Sequence, residues 1–300
     1  MSGITVATHE HWAHHEFMTT RGVIDGSHLE LSGGNHSEVY LNADRVFPDP
    51  ARMARFYSRW KGHFFDGRGA ERPEVIAGPA TGGVYLVGGF SQVLFAAGMQ
   101  VRPVWADKQG KEMILERSSF DVVVAGRLVL VVEDVITSGT STMKTIAAVR
   151  AAGGEVIGVA CMVNRRASVT AEVLGVPDLK ACWQLDVVDH PADDCPFCAG
   201  HRPMVTNIGH GDRFQEENPD YEGGFTTLDL DPKIPFGEVR TVRYQDGARN
   251  LKEARGKIIN PDRRAYPEAE ILLEITAPDG DHRGAYLPLS RWQISKISPE

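Results

Sequence analysis

The sequence predicts an α/β fold, a parallel sheet flanked by helices, followed by a small β-rich C-terminal appendage. From Pro73 to about residue 188, short apolar strands alternate with helices, a pattern typical of parallel sheets covered on both faces. After about residue 204, a stretch rich in Gly, Asp, Asn and Glu precedes short alternating segments separated by turns, which is typical of a small all-β unit. We therefore expect a first domain over 1–206, a linker over 207–223 and a β-rich appendage over 224–300.

The alternation in the first domain can be followed element by element. Strands are predicted over 74–77, 100–105, 127–132 and 156–164, with helices over 84–97 and 141–152. The second helix should end at Gly153-Gly154, because glycine readily adopts the left-handed conformation of a helix C-cap. Ligands of such sheets bind beyond the carboxyl ends of the strands. A site is therefore expected at 78–83, at 133–141 and at Arg165.

Composition and charge limit the classes of function. The formal net charge of −8 does not favour a broad nucleic-acid-binding surface, which needs clustered Lys and Arg. No apolar run approaches the roughly 20 residues of a membrane span, and the first fifteen residues lack the pattern of a secretory signal. Four cysteines in 300 residues do not form a disulfide framework. We expect a cytoplasmic protein that acts on small molecules.

The most informative segment is Leu130–Thr142, which reads Leu-Val-Val-Glu-Asp-Val-Ile-Thr-Ser-Gly-Thr-Ser-Thr. An apolar strand brings Glu133 and Asp134 to its carboxyl end, and a loop of small hydroxyl residues then opens a helix. Backbone N–H groups of such a loop bind phosphate, while carboxylates suit ribose hydroxyls and the hydration shell of Mg²⁺. The pattern indicates a phosphorylated ribose. The alternative is that the acidic pair only caps the helix, although two carboxylates after a buried strand are costly without partners.

This segment closely resembles the signature of type I phosphoribosyltransferases, which binds phosphoribosyl pyrophosphate (PRPP). Further segments point to the orotate phosphoribosyltransferase branch, and the resemblance covers about residues 15–205. Leu31–Asn42 resembles the hood over the base, 78–83 the pyrophosphate loop, 105–108 with 113–117 the mobile catalytic loop, and 163–165 the place of an arginine for the orotate carboxylate. Cys195-Pro196-Phe197-Cys198 is similar to a C-terminal element of many members.

The resemblance implies a hood over about 15–60, a core over about 73–190, and Mg²⁺-dependent transfer of ribose 5-phosphate from PRPP to a base, most simply orotate. It also implies a homodimer in which the mobile loop of one subunit closes over the partner's site. Catalytic roles fall on Lys108, Glu133 and Asp134. The PRPP-binding residues are Thr81, Gly82, Lys108, Lys111, Glu133, Asp134, Thr137, Ser138, Gly139, Thr140 and Ser141. The base-binding residues are Tyr40, Leu41, Thr137 and Arg165.

Lys108 is the expected cation of the catalytic loop, with Lys111 as the second candidate. Departing pyrophosphate gains negative charge while an oxocarbenium-like ribose forms, and a positioned ammonium stabilises that charge. The polar, Gly-containing stretch 106–112 favours a lid that opens and closes. A bidentate contact from Arg165 to a carboxylate would select orotate. The alternative interpretations are that Lys108 is a solvated surface lysine and that Arg165 is an ordinary arginine at the end of a strand.

The sequence departs from the family pattern at several positions. Leu31 stands where other members often carry Lys or Thr, and Gly82 stands where some carry lysine. Asn164 replaces an aspartate, and the segment after about 222 has no counterpart in a minimal member. Two alternatives therefore stay open. The chain acts on a different base with PRPP, or it is a non-catalytic PRPP- or nucleotide-sensing regulator that uses the appendage for interaction.

Cys195 and Cys198 also suggest a second kind of site. Thiolate and imidazole are the usual zinc ligands, and His190, His201 and His210 lie nearby in sequence. A second Cys pair is absent from the sequence, so the alternative is a structural loop without metal.

Overall fold

The computed structural model describes residues 11–67, 71–115 and 119–228, and beyond these five strands within 239–298. The chain divides into two compact units, with the boundary after Thr227. Among the helices of the described residues, none has the length and apolarity needed to cross a membrane. Each unit has its own sheet.

The first unit begins with a segment of short elements. In chain order these are α1 (His11–Thr19), β1 (Val23–Ile24), β2 (Leu29–Glu30), β3 (His36–Ser37), β4 (Tyr40–Leu41) and α2 (Pro50–Phe64). Strand β1 pairs with β4 and β2 with β3, both antiparallel. The segment predicted as the hood therefore consists of two small strand pairs between two helices.

Helix α2 shows how local sequence sets an element of this segment. Pro50 occupies its first turn, and the side chain of Asp49 caps it by accepting from the backbone N–H groups of Ala51 and Arg52 at 3.0 and 3.2 Å. Its buried residues recur at helical spacing and are Met53, Phe56, Tyr57, Trp60 and Phe64. The capped start and the apolar stripe together fix both the beginning of the helix and the face that it buries.

A six-stranded sheet forms the centre of the first unit. Its elements are β5 (Val75–Pro79), α3 (Gly82–Ala96), β6 (Arg102–Gln109), β7 (Glu112–Ile114), α4 (Phe120–Val124), β8 (Leu128–Ile136), α5 (Thr140–Ala151), β9 (Glu155–Asn164), α6 (Ala171–Leu174) and β10 (Leu179–Gln184). The strand order is β10-β9-β8-β5-β6-β7. All neighbours pair in parallel except β6 and β7. The predicted α/β fold is confirmed.

Two apolar cores cover the two faces of this sheet. On β8, Leu130 and Val132 belong to the core that also holds the buried side chains of α2 and α3. Val129 and Val131 belong to the core that holds Ile146 and other side chains from α5. Since successive side chains of a strand point to opposite faces, a stretch of strand buried on both faces must be apolar, as residues 128–132 of β8 are.

The chain after β10 contains α7 (Pro196–Ala199), β11 (Met204–Val205), α8 (Gly211–Glu217) and β12 (Phe225–Thr226), and β11 pairs in parallel with β12. The stretch 207–223, predicted as a linker, includes the helix α8 and lies within the first unit. Phe214 of α8 is buried, and its ring lies 5.1 Å from that of His36 and 5.3 Å from that of Tyr221. Polar composition identified the exposed turns, but these few aromatic contacts fold the segment into the first unit.

The second unit contains an antiparallel sheet. Its strands are β13 (Val239–Gln245), β14 (Leu251–Ile259), β15 (Ile271–Ile275), β16 (Tyr286–Leu289) and β17 (Ile294–Ser298), in the order β16-β15-β14-β13-β17. All neighbours pair antiparallel. The strands lie within the part of the chain predicted as a β-rich appendage, and the stretches between them lie outside the described residues.

Phe90 offers a test of the aromatic core beside α2 and α3. Its ring lies 5.6 Å from those of Tyr57 and Trp60 and 5.8 Å from that of Phe65. We expect Phe90→Ala to lower the free energy of unfolding by about 3–5 kcal/mol, because it removes a fully buried ring and leaves a cavity. Denaturant unfolding measures the change.

The matched control lies on the same helix. Phe95 is 69 % exposed, so Phe95→Ala should change the free energy of unfolding by no more than about 0.5 kcal/mol. Equal losses in the two variants would contradict this account of the core.

Candidate functional site

Two carboxylates lie at the carboxyl end of β8. Glu133 is buried and its Oε2 accepts from the hydroxyl of Thr142 at 3.1 Å, while Asp134 is half-buried and its Oδ1 accepts from the backbone N–H of Val135 at 2.7 Å. Strand β8 lies between β5 and β9, so the two acids lie beside the carboxyl ends of the inner strands of the sheet. This is the position that the sequence predicted for them.

Burial changes the acidity of this pair. It raises the pKa of Glu133 well above the ordinary value, and the neighbouring Asp134 carboxylate raises it further. Burial also raises the pKa of Asp134, against the hydrogen bond from Val135. Negative charge on two neighbouring, partly or fully buried acids is unfavourable in the free protein. Such pairs are typical of sites that bind a cation or a ligand rich in hydrogen-bond donors.

The loop after β8 leads directly into α5. Gly139 precedes the helix with a φ of 77°, in the left-handed region that favours glycine. The hydroxyls of Ser138 and Thr140 lie 2.9 Å apart. The unpaired N–H groups at the start of α5 and the hydroxyl groups of this loop therefore share one surface, an arrangement suited to an anion.

The loop after β5 approaches the acidic pair closely. A Cβ placed on Gly82 would lie 2.6 Å from Oδ2 of Asp134, nearer than real side chains approach. A lysine at this position, as in some relatives of the resembled family, would have to displace the carboxylate or the loop. Glycine at position 82 therefore lets the Asp134 carboxylate lie against the backbone of this loop.

The predicted lid over 106–112 is a β-hairpin rather than an irregular loop. Lys108 of β6 pairs with Met113 of β7, and Gly110 and Lys111 form the turn. Lys108 and Lys111 are both exposed, and the ammonium of Lys144 on α5 donates to the carbonyl of Lys111. Residues 116 and 117, the end of the segment resembling the catalytic loop, lie outside the described residues.

Arg165 is held in a buried network at the end of β9. Its Nη2 donates to Oγ of Ser37 at 2.9 Å, to the carbonyl of Val39 at 3.2 Å and to Oδ1 of Asp189 at 2.8 Å. Arg166 donates to the other oxygen of Asp189 at 2.7 Å. The sequence analysis missed Asp189; an acidic residue soon after the apolar strand β10 was the signal available for it.

One cavity of about 650 Å³ brings most of these residues together. The predicted site residues that line it are Tyr40, Leu41, Lys108, Lys111, Glu133, Asp134, Thr137, Ser138, Gly139, Thr140, Ser141 and Arg165. Thr81 and Gly82 are not among the lining residues, although their neighbour Ala80 is. Residues not predicted as binding groups also line it, among them Thr142, Lys144, Arg166, Asp189 and His210.

The hood segment contributes part of the cavity lining. Leu31, Ser32, Gly33 and Asn35 from the loop between β2 and β3 line it together with Tyr40 and Leu41. Burial raises the pKa of the Tyr40 hydroxyl, and the charges of Asp44 and Asp134 raise it further, so Tyr40 is a neutral hydroxyl here. The lysines of the hairpin and the loop before α5 supply the positive charge and the anion-binding groups. Such a cavity accommodates an anionic ligand with a planar or polar group under the hood segment.

Cys195 and Cys198, the predicted zinc candidates, lie outside this cavity's lining. Their sulfur atoms lie near the imidazoles of His28 and His36, both of which the sequence analysis missed. The three histidines weighed from sequence are elsewhere: His201 pairs with Glu222, His210 lines the cavity, and His190 packs its ring against Phe197. Sequence proximity therefore indicated the wrong histidines.

Comparison with known proteins gives consistent matches to the first unit. Residues 60–188 match the family model of the phosphoribosyl transferase domain. An orotate phosphoribosyltransferase from Caldanaerobacter subterraneus subsp. tengcongensis is 36 % identical over 183 residues, which are 61 % of this chain and 89 % of that protein. One from a Methylobacterium species is 33 % identical over 181 residues, or 60 % of this chain and 86 % of that protein.

Solved structures match over a similar share of the chain. A crystal structure of orotate phosphoribosyltransferase from Mycobacterium tuberculosis H37Rv, in complex with Fe(III) dicitrate, is 22 % identical with a TM-score of 0.45. The match covers 57 % of this chain and 95 % of that chain.

The raised pKa of Glu133 leads to a prediction about stability. Its folded-state pKa lies above its unfolded value, so its contribution to stability is fully present below the unfolded pKa and is lost as the pH rises through the folded pKa. We expect Glu133→Gln, which keeps the acceptor for Thr142 and removes the charge, to raise Tm at neutral pH. The gain should shrink as the pH falls towards about 4.

Thermal unfolding across this pH range measures the effect. Glu155→Gln removes an exposed carboxylate at the start of β9 and is the control, with little change in Tm expected. A lower Tm for Glu133→Gln at neutral pH would show that the buried carboxylate is stabilising and would contradict the prediction.

Proposed function

Because the chain belongs to the orotate phosphoribosyltransferase family, we propose that it transfers the ribose 5-phosphate group of PRPP to orotate, forming orotidine 5'-monophosphate and pyrophosphate. The observation that carries this proposal is the cavity at the end of β8, which joins the acidic pair and the hydroxyl loop to two lysines and Arg165. The relatives named as orotate phosphoribosyltransferases match 183 and 181 residues of the chain over 89 % and 86 % of their own length. This would make the chain an enzyme of pyrimidine nucleotide synthesis.

The reaction breaks the bond between C1 of the ribose and the pyrophosphate oxygen, which leaves with the electron pair. A nitrogen of the base forms the new bond to C1 and loses its proton to solvent. Positive charge grows on the ribose and negative charge on the leaving group, so a catalyst needs groups that stabilise both. The cavity offers carboxylates for the first and lysines for the second.

The loop over 137–141 is proposed to hold the 5-phosphate. Its hydroxyl groups and the N–H groups at the start of α5 supply donors, with Gly139 allowing the turn. Glu133 and Asp134 then face the ribose hydroxyls, whose O–H groups donate to carboxylates. Binding of the sugar would replace the missing partners of the acidic pair, so ligand binding relieves part of the charge burial in the free protein.

Magnesium fits the same place. Mg²⁺ prefers oxygen ligands, keeps several waters, and is usually held by one or two carboxylates together with substrate phosphates. Asp134 and Glu133 are the residues that would hold it through PRPP, since both line the cavity beside the loop. When bound, the ion supplies positive charge that neutralises the pyrophosphate.

Arg165 is proposed to select the base. Asp189 and Ser37 fix the guanidinium from one side through Nη2, and the buried Nε has no partner within the described residues. A group held this firmly retains its orientation when a carboxylate enters the cavity. Tyr40, Leu41 and Thr137 line the same cavity as Arg165 and would contact the ring of orotate.

Lys108 is proposed as the cation that stabilises departing pyrophosphate, with Lys111 as the alternative. Both lie on the β6–β7 hairpin, are exposed, and line the cavity. In addition, we propose a homodimer in which this hairpin acts on the partner's site. A cytoplasmic location stays a prediction.

The first test is release of pyrophosphate from PRPP and Mg²⁺ by the full chain, with orotate, uracil, nicotinate and the purine bases offered separately. Release with orotate and not with uracil or the purine bases is expected, because those bases lack the carboxylate that Arg165 is proposed to bind. Asp134→Asn keeps the size of the side chain and removes its charge, and it should lose most of the turnover. Release with a different base would identify that base as the substrate. PRPP binding without release for any base would favour the alternative of a non-catalytic PRPP-sensing regulator.

Lys108→Ala tests the role of the hairpin. Its contact strengthens mainly in the transition state, so the variant should lower kcat much more than it raises the KM for PRPP. Lys61→Ala removes a lysine of α2 that pairs with Asp66, and this variant should keep wild-type kinetics. Steady-state rates at varied PRPP separate the two constants, and a change confined to KM would sink the transition-state role.

Mixing the Lys108→Ala and Asp134→Asn chains tests the dimer in the same assay. If the hairpin acts in trans, hybrid dimers combine an intact hairpin with an intact acidic pair and regain activity. Hybrids that form, as shown by differently tagged chains, yet stay inactive would contradict donation across the interface.

A further inference from the structure

Four potential metal ligands converge in the first unit, away from the cavity described above. They are His28, His36, Cys195 and Cys198, and one ligand atom from each lies within 4.8 Å of all the others. Three of the four residues are buried and Cys198 is half-buried. His28 directly precedes β2, His36 begins β3, and both cysteines belong to the turn that forms α7. The group therefore joins two parts of the chain that are more than 150 residues apart.

The separations match the edges of a tetrahedral zinc site. With Zn–S near 2.3 Å and Zn–N near 2.0–2.1 Å, tetrahedral ligands lie about 3.3–3.8 Å apart. Nε2 of His28 lies 3.7 Å from each of the two sulfur atoms. Nδ1 of His36 lies 3.3 Å from Sγ of Cys198 and 3.0 Å from Nε2 of His28. These four of the six separations lie within about 0.3 Å of tetrahedral edges, and none of the six exceeds 4.8 Å, so shifts of about 1 Å or less bring the four ligand atoms around one ion.

A backbone contact fixes which nitrogen of His28 faces the group. Nδ1 lies 2.9 Å from the carbonyl oxygen of Arg202, and a carbonyl can only accept, so the proton is on Nδ1. In the neutral imidazole Nε2 then carries a lone pair that points at the other three ligand atoms. Zinc-binding histidines commonly donate their second N–H to a carbonyl or carboxylate in this way.

Aromatic rings surround the four ligands. The ring of His28 lies 5.6 Å from that of Phe197 and 6.1 Å from that of Tyr221, and the hydroxyl of Tyr221 donates to the same Arg202 carbonyl at 2.8 Å. The ring of Phe214 lies 5.1 Å from that of His36. These rings pack around the two imidazoles, and the carbonyl of Arg202 accepts two hydrogen bonds.

We propose that His28, His36, Cys195 and Cys198 bind one Zn²⁺ ion in a structural site. The two thiols would bind as thiolates and release their protons to solvent. Four protein ligands complete the tetrahedron and leave no open position, as in zinc sites that stabilise folds rather than catalyse reactions. Soft sulfur ligands paired with imidazole favour Zn²⁺ over Mg²⁺ or Ca²⁺.

The site would clamp the hood segment to the end of the first unit. His36 is followed by Ser37, whose hydroxyl accepts from Arg165. The backbone of His36 also exchanges two hydrogen bonds with that of His190, at 2.7 and 2.8 Å, next to Asp189. A zinc ion at His36 would thus hold β3, which carries the Arg165 partner Ser37, while none of the four ligands lines the cavity.

Metal analysis of the full chain, purified without chelators or a metal-affinity tag, is the direct test. We expect about one zinc ion per chain, since four protein ligands form one closed site. Cys195→Ala and His36→Ala should lose the bound zinc. Cys182→Ala, at a buried cysteine of β10, and His201→Ala, at an exposed histidine, are the matched controls and should keep it. Zinc retained in both ligand variants would overturn the assignment.

Cobalt titration of wild-type protein provides a test that needs no variant to fold. After removal of zinc with a chelator, Co²⁺ should produce the visible absorption of a tetrahedral site together with sulfur-to-cobalt charge transfer. Thermal stability should fall on chelation and return with Zn²⁺, because metal binding contributes to folding. Protein that is isolated without zinc and binds Co²⁺ without these bands would overturn the proposal, whatever the transferase assay gives.

Discussion

The close approach of Asp134 to Gly82 is the constraint on which the cavity depends. The carboxyl ends of β5 and β8 are neighbours in a parallel sheet, so the loops that follow them must share a small space. One side of that space is a carboxylate, and the other has no room for a Cβ. The two loops therefore meet at Asp134, which lines the cavity together with the residues at the start of α5.

The same packing explains why the site is unfavourable before a ligand binds. Glu133 is almost fully buried beside a second carboxyl group, and its one hydrogen-bond donor from a side chain is Thr142 within the described residues. Burial of acidic groups costs stability that the apolar strands of β8 and its neighbours must offset. Binding sites commonly carry this kind of cost, because groups arranged for a ligand are incompletely satisfied without it.

A second set of interactions connects the hood segment to the end of the first unit. Asp189 orients Arg165 and Arg166, Ser37 accepts from Arg165, and the His28–His36–Cys195–Cys198 group joins β3 and the residue before β2 to the turn at α7. Short two-residue strands such as β2 and β3 are too small to be stable alone. Their position therefore depends on contacts made by chain segments far away in sequence, and metal binding is one efficient way to supply such contacts.

The sequence by itself determined the α/β fold and the chemistry of the β8 segment, because both are local patterns. An apolar strand followed by Glu133-Asp134 and a Gly-containing hydroxyl loop predicts strand, anion site and helix from adjacent residues alone. Only the tertiary structure decided that α8 packs into the first unit, that 106–112 is a hairpin, that Asp189 holds Arg165, and that His28 and His36 face the two cysteines. Apart from the hairpin, which pairs neighbouring residues, each of these depends on contacts between residues far apart in the chain, and a single sequence does not show which distant residues meet.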